Sequence, residues 1–316
     1  MTDPAAFVTS APAGDDVPGG PTPTGRERSR SLGADAWREM RRNPIFWIAI
    51  ALLAVFVSMS IVPGVWAPKD PLICDLALAR GLPGPEALFG YDAQGCDVWT
   101  RTVHGARSSI LVGVLTTAFT LVLGSVVGII AGFFGGWLDA VLSRLADVFF
   151  AIPLLLGGII VLYTFREPNQ PYAVVIFNVV FAISILGWPT IARLMRSSVL
   201  QVKANDYVQA ARALGASPLR IIISHILPNA LAPVIVVSTI NLGAYIALEA
   251  TLSFLGIGLQ PPAISWGLAI SDASGLNLIR SVPHMLLFPS LFLSLTVLSF
   301  ILLGEAVRDA LDPKLR

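Results

Sequence analysis

The chain is poor in charge, nearly devoid of cysteine and without a nucleotide-binding loop. Of its 316 residues 13% are charged and 55% are hydrophobic, whereas a soluble domain carries about 25% charged residues. With a mean hydropathy of +0.74, this excludes an ordinary soluble globule and leaves a polytopic, all-α membrane protein. The net charge is only +1, and no basic patch is interleaved with aromatics, so nucleic acid is not an expected partner. No Gly-Lys pair occurs, so no Walker loop can cradle phosphates; any ATP is bound by another chain. His104, His225 and His284 are the only histidines. They lie far apart without metal-ligand spacing or a Ser/His/Asp or Cys/His grouping, so neither a metal site nor a catalytic residue is expected.

What is present is a series of apolar runs with punctuation. Residues 1–36 are rich in Pro, Gly, Ser and Thr and are expected to be a disordered tail, because such a segment cannot bury enough surface to offset its ordering entropy. Arg26, Arg28, Arg30, Arg38, Arg41 and Arg42 precede the first span and mark the cytoplasmic side, with a short amphipathic helix over 37–42. Residues 37–66 thus hold this helix and the first span (45–62), expected to be an uncleaved anchor. Five further spans are expected, at 108–133, up to 165 with a kink at Pro153, at 172–192 with a break at Trp188-Pro189, at 231–248 and at 284–304. Small residues at 113, 124, 125, 128 and 132 recur along the second span and predict close helix packing. Six spans put both termini inside, with about 15 basic residues inside against about 6 outside.

Three polar or broken stretches interrupt this pattern. Residues 67–105 form a long loop that holds both cysteines, Cys74 and Cys96. On the outer side of the membrane they are expected to be bridged; two free thiols are the alternative. Residues 250–283 carry Gly256, Gly258, Pro261, Pro262, Asp272 and Arg280, a poor composition for a span, and are read as an external, partly re-entrant scoop. Asp147 is expected to be a helix N-terminal charge. Glu249, at the far end of the fifth span, is either a pathway or gate residue or a hydrogen-bonded structural acid beside the scoop.

The third stretch, 199–228, has the grammar of helix, turn, helix. Asn205 or Asp206 can cap the first helix. Gly215 stops it. Ser217-Pro218 restarts a helix with a capping hydroxyl and a proline at the first position, and Pro228 ends it. The run Asp206-Tyr207-Val208-Gln209-Ala210-Ala211, then Leu214-Gly215, Ser217-Pro218 and His225-Ile226-Leu227-Pro228-Asn229, resembles the EAA loop of ABC-importer permeases, with Gln209 in place of the usual glutamate. Other signatures follow the same order: Phe89-Gly90-Tyr91-Asp92 with His104-Gly105-Ala106-Arg107, Asp147 with Ala151-Ile152-Pro153, Leu252-Ser253-Phe254-Leu255-Gly256, Ser265-Trp266-Gly267, and the ending from Glu305 to Pro313. Together they are similar to the C-type permease subunits of dipeptide and oligopeptide ABC importers over 37–316.

That resemblance implies a type I ABC importer permease fold of six transmembrane helices with a cytoplasmic coupling helix, a core at 106–305 and a cytoplasmic tail at 306–316. It implies a B-type permease in a heterodimer, ATPase subunits that hold the ATP and magnesium, and an extracytoplasmic peptide-binding protein or lipoprotein. This chain then carries no cofactor. Asp206, Tyr207, Gln209, Ala210, Ala211, Leu214, Gly215, Ser217 and Pro218 would seat on the ATPase, and Gln209 would bring no charge to that contact. Cys96 stands where the family has arginine, which suits a local bridge. Nickel or another small solute is the nearest alternative cargo. A secondary carrier would need ion-coupling acids and inverted repeats, and a scaffold would have no use for the hairpin.

Overall fold

The computed structural model describes residues 32–311. The expected disorder of 1–31, the topology signal at Arg26, Arg28 and Arg30, and the Asp312-Pro313 ending lie outside those residues. Among the described residues the regular structure is helical throughout.

Helix α1 (Leu32–Arg42) begins inside the stretch read as a tail. It is tied to α2 (Pro44–Ile61) by the Trp47 indole N–H, which donates to the Arg41 carbonyl at 3.0 Å, and by an edge-to-face contact of Trp37 with Phe46. Asn43 caps α2, its side chain accepting the Ile45 N–H at 2.9 Å. A single turn, α3 (Pro63–Trp66), leads into the long loop before the next helix.

Helix α4 (Val98–Phe134) starts well before the apolar run at 108. Asp97 caps it by accepting the Thr100 N–H at 3.2 Å, and its first turns carry Arg101 and His104, so hydropathy alone does not register them. Its glycines sit on α7 (Tyr172–Lys203). A Cβ at Gly124 would meet the Ile191 Cβ at 2.7 Å, and one at Gly132 the Arg196 carbonyl at 3.0 Å. Helix α7 runs through Pro189 and on to Lys203, where a break was expected. Trp188 and Pro189 are both buried among neighbouring helices, which can stabilise a carbonyl freed by proline.

Between them α5 (Gly136–Ala151) and α6 (Leu154–Thr164) meet at 88°, a break rather than the expected kink. Pro153 offers no N–H and holds Ile152 extended, with φ −87° and ψ 118°. Asp139, not Asp147, is the acid in the first turn of α5. Asp147 lies near the end of that helix and pairs with Arg193 of α7 at 2.6 Å, while Asp139 accepts from Nε and Nη2 of Arg196.

After α7 come α8 (Asp206–Ala213), α9 (Pro218–Ile221), a π turn at Ile222–Ile226 and α10 (Leu227–Phe254). Pro228 does not end the helix. The π turn, in which the Leu227 N–H reaches back to the Ile222 carbonyl, carries the chain through, and Pro218–Phe254 forms one continuous run of 37 residues. The scoop holds α11 (Trp266–Asp272) and α12 (Leu276–Ser281). It is pinned on α4 by the fully buried Trp266, whose indole N–H donates to the Thr102 carbonyl at 2.8 Å. The last helix, α13 (His284–Leu311), extends past Gly304, so 306–311 is helix rather than tail. Among the described residues five helices are long and apolar enough to cross a membrane, and six segments are if the bent α5–α6 pair is counted as one span.

The loop between α3 and α4 is organised by Asp92. Its Oδ1 accepts the N–H groups of Gln94 and Cys96, and its Oδ2 accepts from Arg101 at 2.7 Å. Asp97 also holds the Lys69 ammonium above its usual range through a 2.7 Å bond, and burial raises the Asp272 carboxyl nearby, opposed by Arg101. Cys74 and Cys96 form a disulfide across a separation of 22 residues. A loop of that size is stabilised by about 3 kcal/mol in the chain-entropy model. The double variant Cys74→Ser/Cys96→Ser is expected to make this loop the first site cut by trypsin, with the helical bundle still intact, as read by limited proteolysis with and without reductant.

Candidate functional site: the 206–228 hairpin and the elbow cavity

The hairpin is built as a rigid protrusion on a packed seat. Asn205 occupies the cap position of α8, but its side chain does not cap; its amide donates to the Tyr207 hydroxyl at 3.3 Å. The C-terminus of α8 is closed by paired backbone bonds. The Ala216 N–H donates to the Ala211 carbonyl at 3.1 Å and the Gly215 N–H to the Arg212 carbonyl at 3.0 Å. This Schellman pattern needs a left-handed residue, which Gly215 supplies at φ +79°. Ser217 caps α9, accepting the Arg220 N–H, with Pro218 at the first helical position.

Val208, which the sequence reading did not single out, seats the hairpin. It is fully buried in a cluster with Phe133 of α4, Met195 and Val199 of α7, and Ile221 and Ile226 beyond the turn. Its signal was visible as an aliphatic side chain among polar and small ones. Gln209 has a structural partner: its amide donates to the Lys203 carbonyl at 2.8 Å, a bond that an ionised glutamate, which has no donor, cannot make. Lys203 in turn donates to the Phe133 carbonyl at 2.6 Å, so the hairpin, α7 and the end of α4 are joined in series. The opposite face is open. Tyr207, Ala210, Leu214 and Leu219 are exposed, Leu214 to 88%.

Glu249 lies elsewhere, at the scoop end of α10. It is wholly buried. Its Oε1 accepts from the Ser253 hydroxyl at 2.7 Å, and that hydroxyl accepts the Leu259 N–H at 2.9 Å. Ser109 and Ser265 also approach its carboxyl. The geometry is that of a buried acid bonded within α10 beside the scoop, with its Oε2 unpartnered, and Glu249 lines neither the cavity at the 165–170 loop nor the one at the α5–α6 elbow.

Those cavities lie at different levels. One, of about 580 Å³, is polar-rimmed and sits between the 165–170 loop and the scoop, where Arg166 reaches Gln260. The other, of about 610 Å³, sits at the α5–α6 elbow, walled by Phe149, Phe150, Pro153, Thr190, Asn241 and Tyr245 among others. No residue singled out from the sequence as a site lines the second cavity. Its available signal was a carboxamide, Asn241, just after Ser238 and Thr239 in a mostly apolar run. Among the described residues there is no group of three metal-ligating side chains.

Residues 124–316 match the family described as binding-protein-dependent transport system inner membrane component, and residues 31–82 match the N-terminal TM domain of oligopeptide transport permease C. The chain is 36% identical over 290 residues to the oligopeptide transport system permease protein OppC of Bacillus subtilis, covering 92% of each chain. It is 35% identical over 306 residues to the dipeptide transport system permease protein DppC of Alkalihalophilus pseudofirmus, covering 95% of each. It is also 35% identical over 285 residues to the glutathione transport system permease protein GsiD of Pectobacterium atrosepticum, covering 89% of this chain and 92% of that one. A helical bundle of this topology, ending one hairpin in an open apolar face and matching these proteins along nearly its whole length, belongs to the family of binding-protein-dependent transport system inner membrane components: a multi-pass permease subunit of a bacterial transporter, not an enzyme.

Proposed function

We propose that this chain is the C-type permease of an ATP-driven importer of dipeptides and oligopeptides across the cytoplasmic membrane. It pairs with a related B-type permease. Separate ATPase subunits bind ATP and magnesium and receive the 206–218 hairpin, and an extracytoplasmic peptide-binding protein or lipoprotein delivers cargo to the end bearing the loop and scoop. Both termini then face the cytoplasm. The observation that carries this reading is the hairpin itself, rigidly seated through Val208 yet presenting Leu214 bare to solvent. An exposed leucine on a rigid tip is a contact waiting for a groove. Peptide cargo is favoured over nickel by the relatives, which carry oligopeptides, dipeptides and glutathione.

ATP binding would draw the ATPase pair together and move the hairpin as a lever on α7 and α10, switching the cavity between two faces. Direction follows only if cargo binds those two states differently. Vesicles holding the whole assembly are expected to accumulate tri-alanine when ATP is supplied. Vesicles holding this chain alone are expected to take up none, even under an ion gradient. Gradient-driven uptake by the chain alone would make it a secondary carrier, and nickel uptake without peptide uptake would make it a metal permease.

A further inference from the structure

The elbow cavity has no charged side chain in its wall. Asn241 stands at the middle of α10, just after Ser238 and Thr239, half-buried in a mostly apolar stretch. Its carboxamide makes no hydrogen bond among the described residues. Of the other polar groups in the wall, the Thr251 hydroxyl donates to the Ala247 carbonyl at 2.8 Å, and the Tyr245 hydroxyl lies beside Thr120. An unpaired carboxamide midway along a membrane-spanning helix is tolerated where it lines a cavity, and a polar side chain kept there points to a ligand path.

A carboxamide donates through its nitrogen and accepts through its oxygen. Those two groups match, in one pair of contacts, the C=O and N–H of a peptide backbone, which every peptide presents whatever its side chains. The rim of the cavity includes Phe150, Leu154, Thr190 and Thr251, all exposed in the isolated chain, so the opening faces away from the bundle core. We propose that this cavity is the transit site for peptide, and that Asn241 holds the passing backbone there. The proposal rests on the importer reading above. The wall itself is uncharged, and the Arg193 guanidinium stacked on Phe150 is paired with Asp147, so no unpaired fixed charge meets a lysine or a glutamate on the cargo and this site passes peptides with little regard to side-chain charge.

The test uses the assembled importer in proteoliposomes with its binding protein, and three probes: tri-alanine, Ala-Lys-Ala and Ala-Glu-Ala. Asn241→Asp keeps the shape and places a charge in a low-dielectric wall, where charge discriminates strongly. Its ratio of Ala-Lys-Ala to Ala-Glu-Ala uptake is expected to rise about tenfold over the unmodified importer, a comparison in which the binding protein's own preference cancels. Asn241→Ala, which inserts even where the acid does not, is expected to raise the KM for tri-alanine about five- to tenfold without changing that ratio. An unchanged ratio in Asn241→Asp together with an unchanged KM in Asn241→Ala would overturn the proposal. So would Asn241→Leu that lowers the yield of co-purified partner permease while sparing KM, since Asn241 would then be a bond between helices. If the unmodified importer carries none of the three probes, the importer reading itself falls, and this inference with it.

Discussion

Leucine in place of Gly128 is expected to leave almost no folded protein in the membrane. A Cβ at this position would lie 2.5 Å from the Ala192 carbonyl oxygen and 2.7 Å from the Met195 Cβ. The carbonyl is backbone of α7 and has no rotamer to yield, so the two helices must part along the whole seam from Gly124 to Gly132. Overpacking of a tight core costs about 1–3 kcal/mol for added methylenes, and a full isobutyl group against backbone belongs at or beyond the top of that range. The seam also aligns Arg196 with Asp139 and Lys203 with Phe133, so those contacts would be lost with it. Gly64, with nothing within 4 Å of its Cβ position, is the control: Gly64→Leu is expected to express as the unmodified chain does. Yield after detergent extraction and the Tm of the purified protein decide between them.

Aspartate in place of Leu214 should separate motor from transport. Leu214 is 88% exposed and supports nothing within the chain, so insertion and Tm are expected to stay unchanged. If its side chain fills an apolar groove on the ATPase, a charge there removes a contact of the kind that costs 2 kcal/mol or more when truncated, roughly 30-fold in affinity. Uptake by the assembly is expected to fall at least tenfold, with ATP hydrolysis no longer stimulated by loaded binding protein. Ala210→Asp, on the same open face, is expected to act likewise. Gly215→Pro does more, because proline can adopt neither the φ of +79° nor the N–H bond to Arg212; it reshapes the turn, and loss of coupling there reports on the elbow rather than on one contact. Full uptake by Leu214→Asp would mean that this tip does not touch the motor.

The apolar runs, the scoop and the caps at Gly215 and Ser217 were legible because each is a local signal: hydropathy over about 20 residues, a helix-stopping glycine, a capping hydroxyl before proline. Helix ends were not. Val98 to Arg107 is helical but hydrophilic, so it reads as loop until Asp97 is seen to cap it. Pro189 and Pro228 act as stop signals in water, yet here one is enclosed by neighbouring helices and the other follows a wide turn that makes room for it. Val208 and Asn241 were hidden for a different reason. What they do depends on residues far away in sequence, such as Phe133 and the α5–α6 elbow, and no local pattern encodes those partners. The resemblance located the hairpin but could not tell that the departure at Gln209 turns a charge into an internal strut to Lys203.

Helix α4 also sets a distance. At 1.5 Å per residue its 37 residues measure about 55 Å, against about 30 Å of hydrocarbon. Its hydrophilic first ten residues, Val98 to Arg107, account for about 15 Å of that surplus and lift the bridged loop clear of the lipid like a collar. On the importer reading proposed above, a cargo carrier anchored by lipid on that side must climb before it can dock. A tether shorter than about five extended residues would hold it against the headgroups, below the height at which the collar can be met.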